Sequence, residues 1–350
     1  MKSRTKIFLI LGLFAAFLIS RIPLNPYFYN IAVLIGVNII AAVSLNLVNG
    51  YTGQFSLGHA GFMAVGAYAS ASVTNFAGDK ILALLGGPHF YSHAILFLLA
   101  LGIGGLAASL VGLAVGIPSL RLKGDYLAIV TLGFGEIIRV IIQNMEAVGA
   151  ARGMSVSHQF TSLAWTYGLA AVTIYVIVCL VHSTYGLGFL SVRDDEIAAE
   201  AMGVNTTKFK VIAFVIGAFF AGIAGGLYAH YIQFITPSGF DFMMSVSFVV
   251  MVILGGMGNT PGVVIAAILL TLLPEGLRAF ANSQLLENLT HLAFHGWLGP
   301  DAYAAVAAKT KALFSNRMIF YALLLIVMML TRPQGLFGGL KFPRRKPQPA

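Results

Sequence analysis

The residues of this chain that could do covalent or metal chemistry are few and scattered. Histidines stand at i, i+4 spacing twice, His89/His93 and His291/His295, the spacing that puts two ligands on one helix face. No acid or third histidine accompanies either pair at ligand spacing, and both fall in or beside segments read as loops, so no metal centre is expected. There is no G-x-x-x-x-G-K-[S/T] to cradle a phosphate, no H-E-x-x-H, and no Ser/His/Asp order that argues for hydrolysis. No catalytic residue is therefore assigned and no cofactor is expected in this chain. A process driven by ATP would need its ATPase on another polypeptide. Cys179 is the single cysteine and lies in an apolar run, so it forms no intramolecular disulfide and reads as a small core hydrophobe. Glu136 and Arg139, three apart in another apolar run, share a helix face and can pair. Charges inside a membrane are functional suspects, and an internally satisfied ion pair that orients its helix is the equal alternative.

The densest charge lies in Tyr185–Lys210. Arg193, Asp194, Asp195, Glu196 and Glu200 crowd together here, whereas charged residues are 9% of the whole chain. Asp194–Met202 reads as a short polar helix, since Glu, Ala and Met are good helix formers, and Gly203 reads as its C-terminal stop. Held between two apolar runs, such a helix is placed to be gripped by a soluble partner; an ordinary hydrophilic loop is the alternative. A second unusual stretch runs from Asn46 to Gly61. It brings Asn46, Asn49, Gly50, Thr52, Gln54, Ser56 and His59 together where two helices meet, without charge or proline. Irregular backbone at membrane depth is tolerated only when buried in protein or lining a wet cavity. Gly255, Gly256 and Gly258 make a similar interruption in the other half of the chain. Paired breaks of this kind are expected near a transporter's pathway, while tight glycine-packed hairpins would give the same composition.

The elements that must position these residues are membrane spans. Of the 350 residues 58% are hydrophobic, above the 45–50% of ordinary soluble chains. Apolar runs place spans at about 7–20, 28–48, 55–75, 94–117, 126–146, 163–181 and 211–232, two shorter segments at 242–254 and 261–273, and a last span at 318–331. The fold class is thus all-α and polytopic, with about ten transmembrane or re-entrant helices in a single domain over residues 1–350. The N-terminal Lys/Arg cluster and apolar run lack a small-residue cleavage site and read as an uncleaved first span. With the N-terminus cytoplasmic, Arg121/Lys123, the 185–210 loop and the basic tail at 338–350 all fall on the cytoplasmic side. The 275–317 loop then lies outside despite its own basic residues. The net charge of +9 is accounted for by span ends, so a nucleic-acid partner is not implied and the lipid bilayer is.

Taken together, several motifs resemble a known family. Asn46-x-x-Asn49-Gly-Tyr-Thr-Gly-Gln-Phe-Ser-Leu-Gly-His-Ala-Gly-Phe62, Arg121-Leu-Lys-Gly-Asp-Tyr-Leu-Ala-Ile-Val-Thr-Leu132, and Phe134-Gly-Glu-Ile-Ile-Arg139 are similar to segments of the LivM-type permease subunits of branched-chain amino acid ABC importers. So are Arg193-Asp-Asp-Glu-Ile-Ala-Ala-Glu-Ala-Met-Gly203, Gly255-Gly-Met-Gly-Asn259 and Arg332-Pro-Gln-Gly-Leu-Phe337, in the same order along the chain. The resemblance implies an ABC importer permease fold that works beside a LivH-type second permease, two cytoplasmic ATP-binding-cassette ATPases that hydrolyse the ATP, and a periplasmic solute-binding protein. It implies a bacterial inner membrane with both termini cytoplasmic. It also makes 185–210 a cytoplasmic coupling loop related to an E-A-A-x-x-x-G pattern, with Asp194, Asp195, Glu196, Ala198, Ala199 and Gly203 as ATPase-docking residues and Ile197 where the pattern has Glu. The sequence departs from the family at Val156-Ser157-His158, and Leu285–Ser315 looks like an insertion. The expected function is passage of branched-chain amino acids. Urea and short amides are the close alternative, because a neutral glycine-, Asn- and Thr-lined break suits any uncharged or zwitterionic solute. An ion-coupled secondary transporter would place carboxylates deep in the bundle, and only Glu136 qualifies.

Overall fold

The computed structural model describes residues 25–84, 89–119 and 124–281, with a few isolated positions elsewhere. The spans expected at 7–20 and 318–331, the tail at 338–350, the 285–315 stretch, His291/His295 and most of the 275–317 loop lie outside these residues. Among the described residues, seven helices are long and apolar enough to cross a membrane. The chain is a multi-pass, mostly helical membrane protein.

Helix α1 is Pro26–Asn46; Asn25 caps it and its proline sits in the first turn, where the missing N–H costs nothing. It continues through a π turn at Leu47–Tyr51. Helix α2, His59–Ser72, begins later than the expected Phe55, because Phe55–Gly58 is not helical. A second π turn, Val73–Ala77, joins it to α3, Gly78–Leu84. Helices α4 (Phe90–Ser119), α5 (Asp125–Asn144) and α6 (Leu163–Val181) follow. Between α5 and α6 the departing segment is ordered by pairing. Strand β1, Met154–Ser155, runs antiparallel to β2, Phe234–Ile235, and Asn75 binds the carbonyl of Ser155 and the amide of Ser157.

The charged stretch holds a helix within the expected Asp194–Met202 and another, not foreseen, before it. Helix α7 is Thr184–Asp194 and α8 is Glu196–Ala201, with Asp195 between them. Helix α9, Thr206–Ile232, starts before the expected Val211, which leaves only a short turn after α8. The two short segments are unequal. Helix α10, Phe242–Gly255, has 14 residues and reaches the length of a span only together with the helical turn Pro237–Gly239 before it, whereas α11, Thr260–Ala281, has 22 and is long enough by itself. α11 continues through Pro274, so the segment from residue 275 opens as helix, with Arg278 bonded to Glu275 at 2.8 Å, rather than as loop.

Helices α1 and α9 form the centre. The most apolar window of α1 is 83% buried and that of α9 67%, against 28% for α5 and α6, whose outward faces are apolar. Helices α2, α4 and α9 cross through glycine. A Cβ on Gly66 would stand 2.2 Å from the Gly222 Cα, one on Gly222 would stand 3.0 Å from the Gly105 Cα, and one on Gly104 would stand 2.7 Å from the Gly66 carbonyl. Lipid offers helices no hydrophobic drive to associate, so this close backbone approach is what holds them.

Candidate functional site

The two helix breaks, far apart in sequence, meet in space. In the first, the π turn after Asn46 widens α1 and strands backbone groups that side chains then satisfy. Thr52 donates its hydroxyl to the Val48 carbonyl at 2.7 Å, and Asn49 brackets Ser56, accepting from its amide at 3.2 Å and donating to its carbonyl at 3.4 Å. His59, at the start of α2, shares a 2.8 Å hydrogen bond with Ser44. In the second break Gly256 and Gly258 have φ of 91° and 77°, which a side chain would strain. Across the junction the Gly258 amide donates to the Asn46 Oδ1 at 2.9 Å, and the Tyr51 and Thr260 hydroxyls lie 2.9 Å apart. Gly50 is where the breaks touch: a Cβ there would stand 2.2 Å from the Gly258 nitrogen.

A cavity of about 370 Å³ opens at this junction, lined by Asn49, Gly50, Gly53, Phe55, Arg193 and Met257. Nearby, the Gln54 amide is buried with no partner for either polar atom among the described residues, and the Asn46 Nδ2 is likewise unpartnered among them. Buried amides with open hydrogen-bonding capacity are costly in a dry core and at home beside water or a polar solute. Of the residues singled out in the sequence, Asn46, Asn49, Gly50, Thr52 and Ser56 gather here with Gly256 and Gly258. Gly255 faces α11 instead, its would-be Cβ 2.4 Å from the Val263 Cα. Tyr51, Thr260, Ser44 and Arg193 were not foreseen.

Glu136 and Arg139 pair as the spacing predicts, with the Arg139 Nε donating to Glu136 at 2.8 Å and both side chains about one-third exposed. Glu136 lines a narrow cleft with Gly61, Asp241 and Ser245, and Asp241 caps α10 by accepting from the Met244 amide at 2.9 Å. The His89/His93 pair brings no ring contact between its members among the described residues. His93 packs instead on His158, with ring centroids 6.1 Å apart, and on Phe160.

At the same end of the bundle as the breaks, Asp195 caps α8 by accepting from the Ile197 and Ala198 amides at 2.9 and 3.0 Å. At the other end Gly203, with φ of 81°, closes a Schellman motif: its amide donates to the Glu200 carbonyl and that of Val204 to Ala199. Two residues expected to face a partner, Glu196 and Ala199, are engaged internally, and so is their neighbour Glu200. Glu196 receives the buried Lys210 ammonium at 2.6 Å, Glu200 accepts from the Thr206 hydroxyl at 2.7 Å, and the Ala199 side chain is buried. The outward face is apolar instead, with Ile197 74% and Met202 83% exposed.

The profile of the branched-chain amino acid transport system / permease component family matches residues 27–330. The chain belongs to that permease family. It is 34% identical over 313 residues, 79% of this chain and 69% of the relative, to the high-affinity branched-chain amino acid transport system permease protein LivM of Escherichia coli. It is 30% identical over 67% of its length and 76% of the relative to the probable LivM permease of Methanocaldococcus jannaschii. A shorter match, 30% identical over 29% of this chain and 32% of the relative, is to the LivH permease of Salmonella typhimurium. The family is one of transport permeases and not of enzymes. A solved structure, PsaBC from Streptococcus pneumoniae in complex with Fab, covers 91% of this chain and 95% of its own at 14% identity and a TM-score of 0.38, below the level at which a shared fold follows.

Proposed function

We propose that this permease is the LivM-type subunit of an ATP-binding-cassette importer and forms part of the pathway for branched-chain amino acids. It performs no covalent chemistry. Its partners are a LivH-type second permease, two cytoplasmic ATPases that bind and hydrolyse ATP, and a periplasmic solute-binding protein that does most of the selecting. It resides in the bacterial inner membrane with both termini cytoplasmic, and α8 is the docking helix. The solute assignment rests on the names of its relatives.

The single observation that carries the mechanism is the contact of the two helix breaks at the same end of the bundle as α8. The breaks supply amide, hydroxyl and backbone groups, and the charge that lines the cavity beside them, Arg193, is paired with Asp194, which suits a zwitterion that must bind weakly enough to leave. The test is uptake into vesicles carrying this chain with its co-purifying partners and an added binding protein, with labelled leucine and labelled urea offered side by side. Leucine uptake that requires ATP is the expected result. ATP-dependent uptake of urea would replace the solute and keep the mechanism; uptake of either without ATP would overturn both.

A further inference from the structure

Arg193 touches both helix breaks, and the sequence places it two residues before the Asp195 cap of α8. Its backbone and stem lie against Gly53: a Cβ there would stand 3.3 Å from the Arg193 Cα and 3.0 Å from its Cγ. Gly53 itself has φ of 68°, so the first break turns around this contact. The guanidinium divides its donors. Nε and Nη2 bond Asp194 at 2.9 and 2.7 Å, while Nη1 extends to the second break and would stand 3.2 Å from a Cβ on Gly258. That same Cβ would stand 3.1 Å from the Gly50 carbonyl, so the two breaks and the end of α7 converge on one point.

Behind Arg193 the structure is stiff. Glu196–Lys210 and Glu200–Thr206 tie α8 to the first turns of α9, and Phe189 of α7 meets Phe209 edge to face with centroids 5.7 Å apart. Gly188 lies so close to the Phe209 ring that a Cβ would stand 2.3 Å from it. Helices α7, α8 and the start of α9 therefore move as one body, and Arg193 is the side chain by which that body reaches the breaks.

We propose that Arg193 is the positioning residue through which movement of the α7–α8 unit reaches both helix breaks at once, so that the Gly50–Gly258 contact changes with the docking helix. This rests on the reading of α8 as the ATPase-docking helix. Lysine would not replace it, because one ammonium has neither the fork nor the reach to hold Asp194 and approach Gly258 together.

The test uses the reconstituted complex in a Cys179→Ser background with Met257→Cys as probe, since Met257 is exposed and lines the cavity. The labelling rate of the probe thiol is measured without nucleotide and with ATP plus vanadate, alongside solute taken up per ATP hydrolysed. With Arg193 present, labelling changes between the two states. In Arg193→Ala the ATPases still co-purify and hydrolyse ATP, the change in labelling disappears, and uptake per ATP falls about 10-fold. Arg193→Lys folds with the charge kept and gives an intermediate loss, which decides the matter if the alanine variant does not accumulate. Nucleotide-dependent labelling that survives in Arg193→Ala overturns the proposal, even if uptake falls, because Arg193 would then act on the solute alone. Loss of ATPase co-purification overturns it too, making Arg193 a docking residue. If the complex with both Arg193 and Met257 intact shows no ATP-dependent uptake, the importer reading itself fails and the relay fails with it.

Discussion

Gly50 has no room for a side chain at the junction. A methyl group would stand 2.1 Å from the Asn46 Oδ1 and 2.2 Å from the Gly258 nitrogen, so Gly50→Ala must separate the breaks or unfold them. We expect a stability loss of about 1–3 kcal/mol and loss of uptake, read by thermal unfolding in detergent and by vesicle transport. Gly133 is the control, since nothing lies within 4 Å of its would-be Cβ, and Gly133→Ala should leave both unchanged. On the docking helix the exposed apolar pair sets the second expectation. Ile197→Asp and Met202→Asp should abolish ATPase co-purification while the bundle keeps its melting temperature. Ala199→Asp, by contrast, buries a carboxylate and should lower that temperature as well. The glycines and Asn46 were legible in the sequence because polar and flexible residues stand out against an apolar background. Tyr51 and Thr260 were not, because a tyrosine and a threonine 209 residues apart carry no local sign of their shared bond. Arg193 was read only as one cation of a charged loop, and its contact with the breaks is a fact of three-dimensional convergence.

Helix α8 has only six residues and depends on its ends more than on propensity. Asp195→Ala removes the acceptor for two backbone amides and should cost about 1 kcal/mol locally. Faster hydrogen exchange at Ile197 and Ala198, with α9 unchanged, is the expected readout. The sequence placed a helix from Asp194 to Met202 because Glu, Ala and Met are good helix formers, and propensity does not say which of two adjacent aspartates starts it. The structure uses Asp195 as the cap, while Asp194 ends α7 and binds Arg193. The end of the last short segment also differs, since the expected boundary at residue 273 falls inside α11, just before Pro274. A proline inside a soluble helix would end it, but in an apolar helix packed among others the freed groups can be satisfied nearby, and α11 runs on. The apolar runs themselves were legible throughout, since hydropathy reports the solvent directly. Helix ends were less so, because they depend on which partner each terminal group finds.

At the scale of the whole molecule, α1 and α9 are central because they are flanked on several sides, and α5 and α6 are peripheral, with apolar faces turned outward. The crossing of α2, α4 and α9 at Gly66, Gly104 and Gly222 is a joint of backbone on backbone. Gly222→Leu would force these three backbones apart, and we expect the protein to fail to accumulate as a monodisperse species on size-exclusion chromatography. The same joint has a mechanical consequence. Backbones already in contact cannot approach further, so this joint is the point about which a tilt of α9 would turn. From Gly222 its arms are unequal, 16 residues to Thr206 and 10 to Ile232, or about 24 and 15 Å. A tilt of α9 about that point would swing the arm carrying Lys210 and the docking helix farther than the arm beside β2. Were α9 to turn as a rigid rod, a broad stroke at Thr206 would be matched by a shorter one, in the opposite direction, at Ile232.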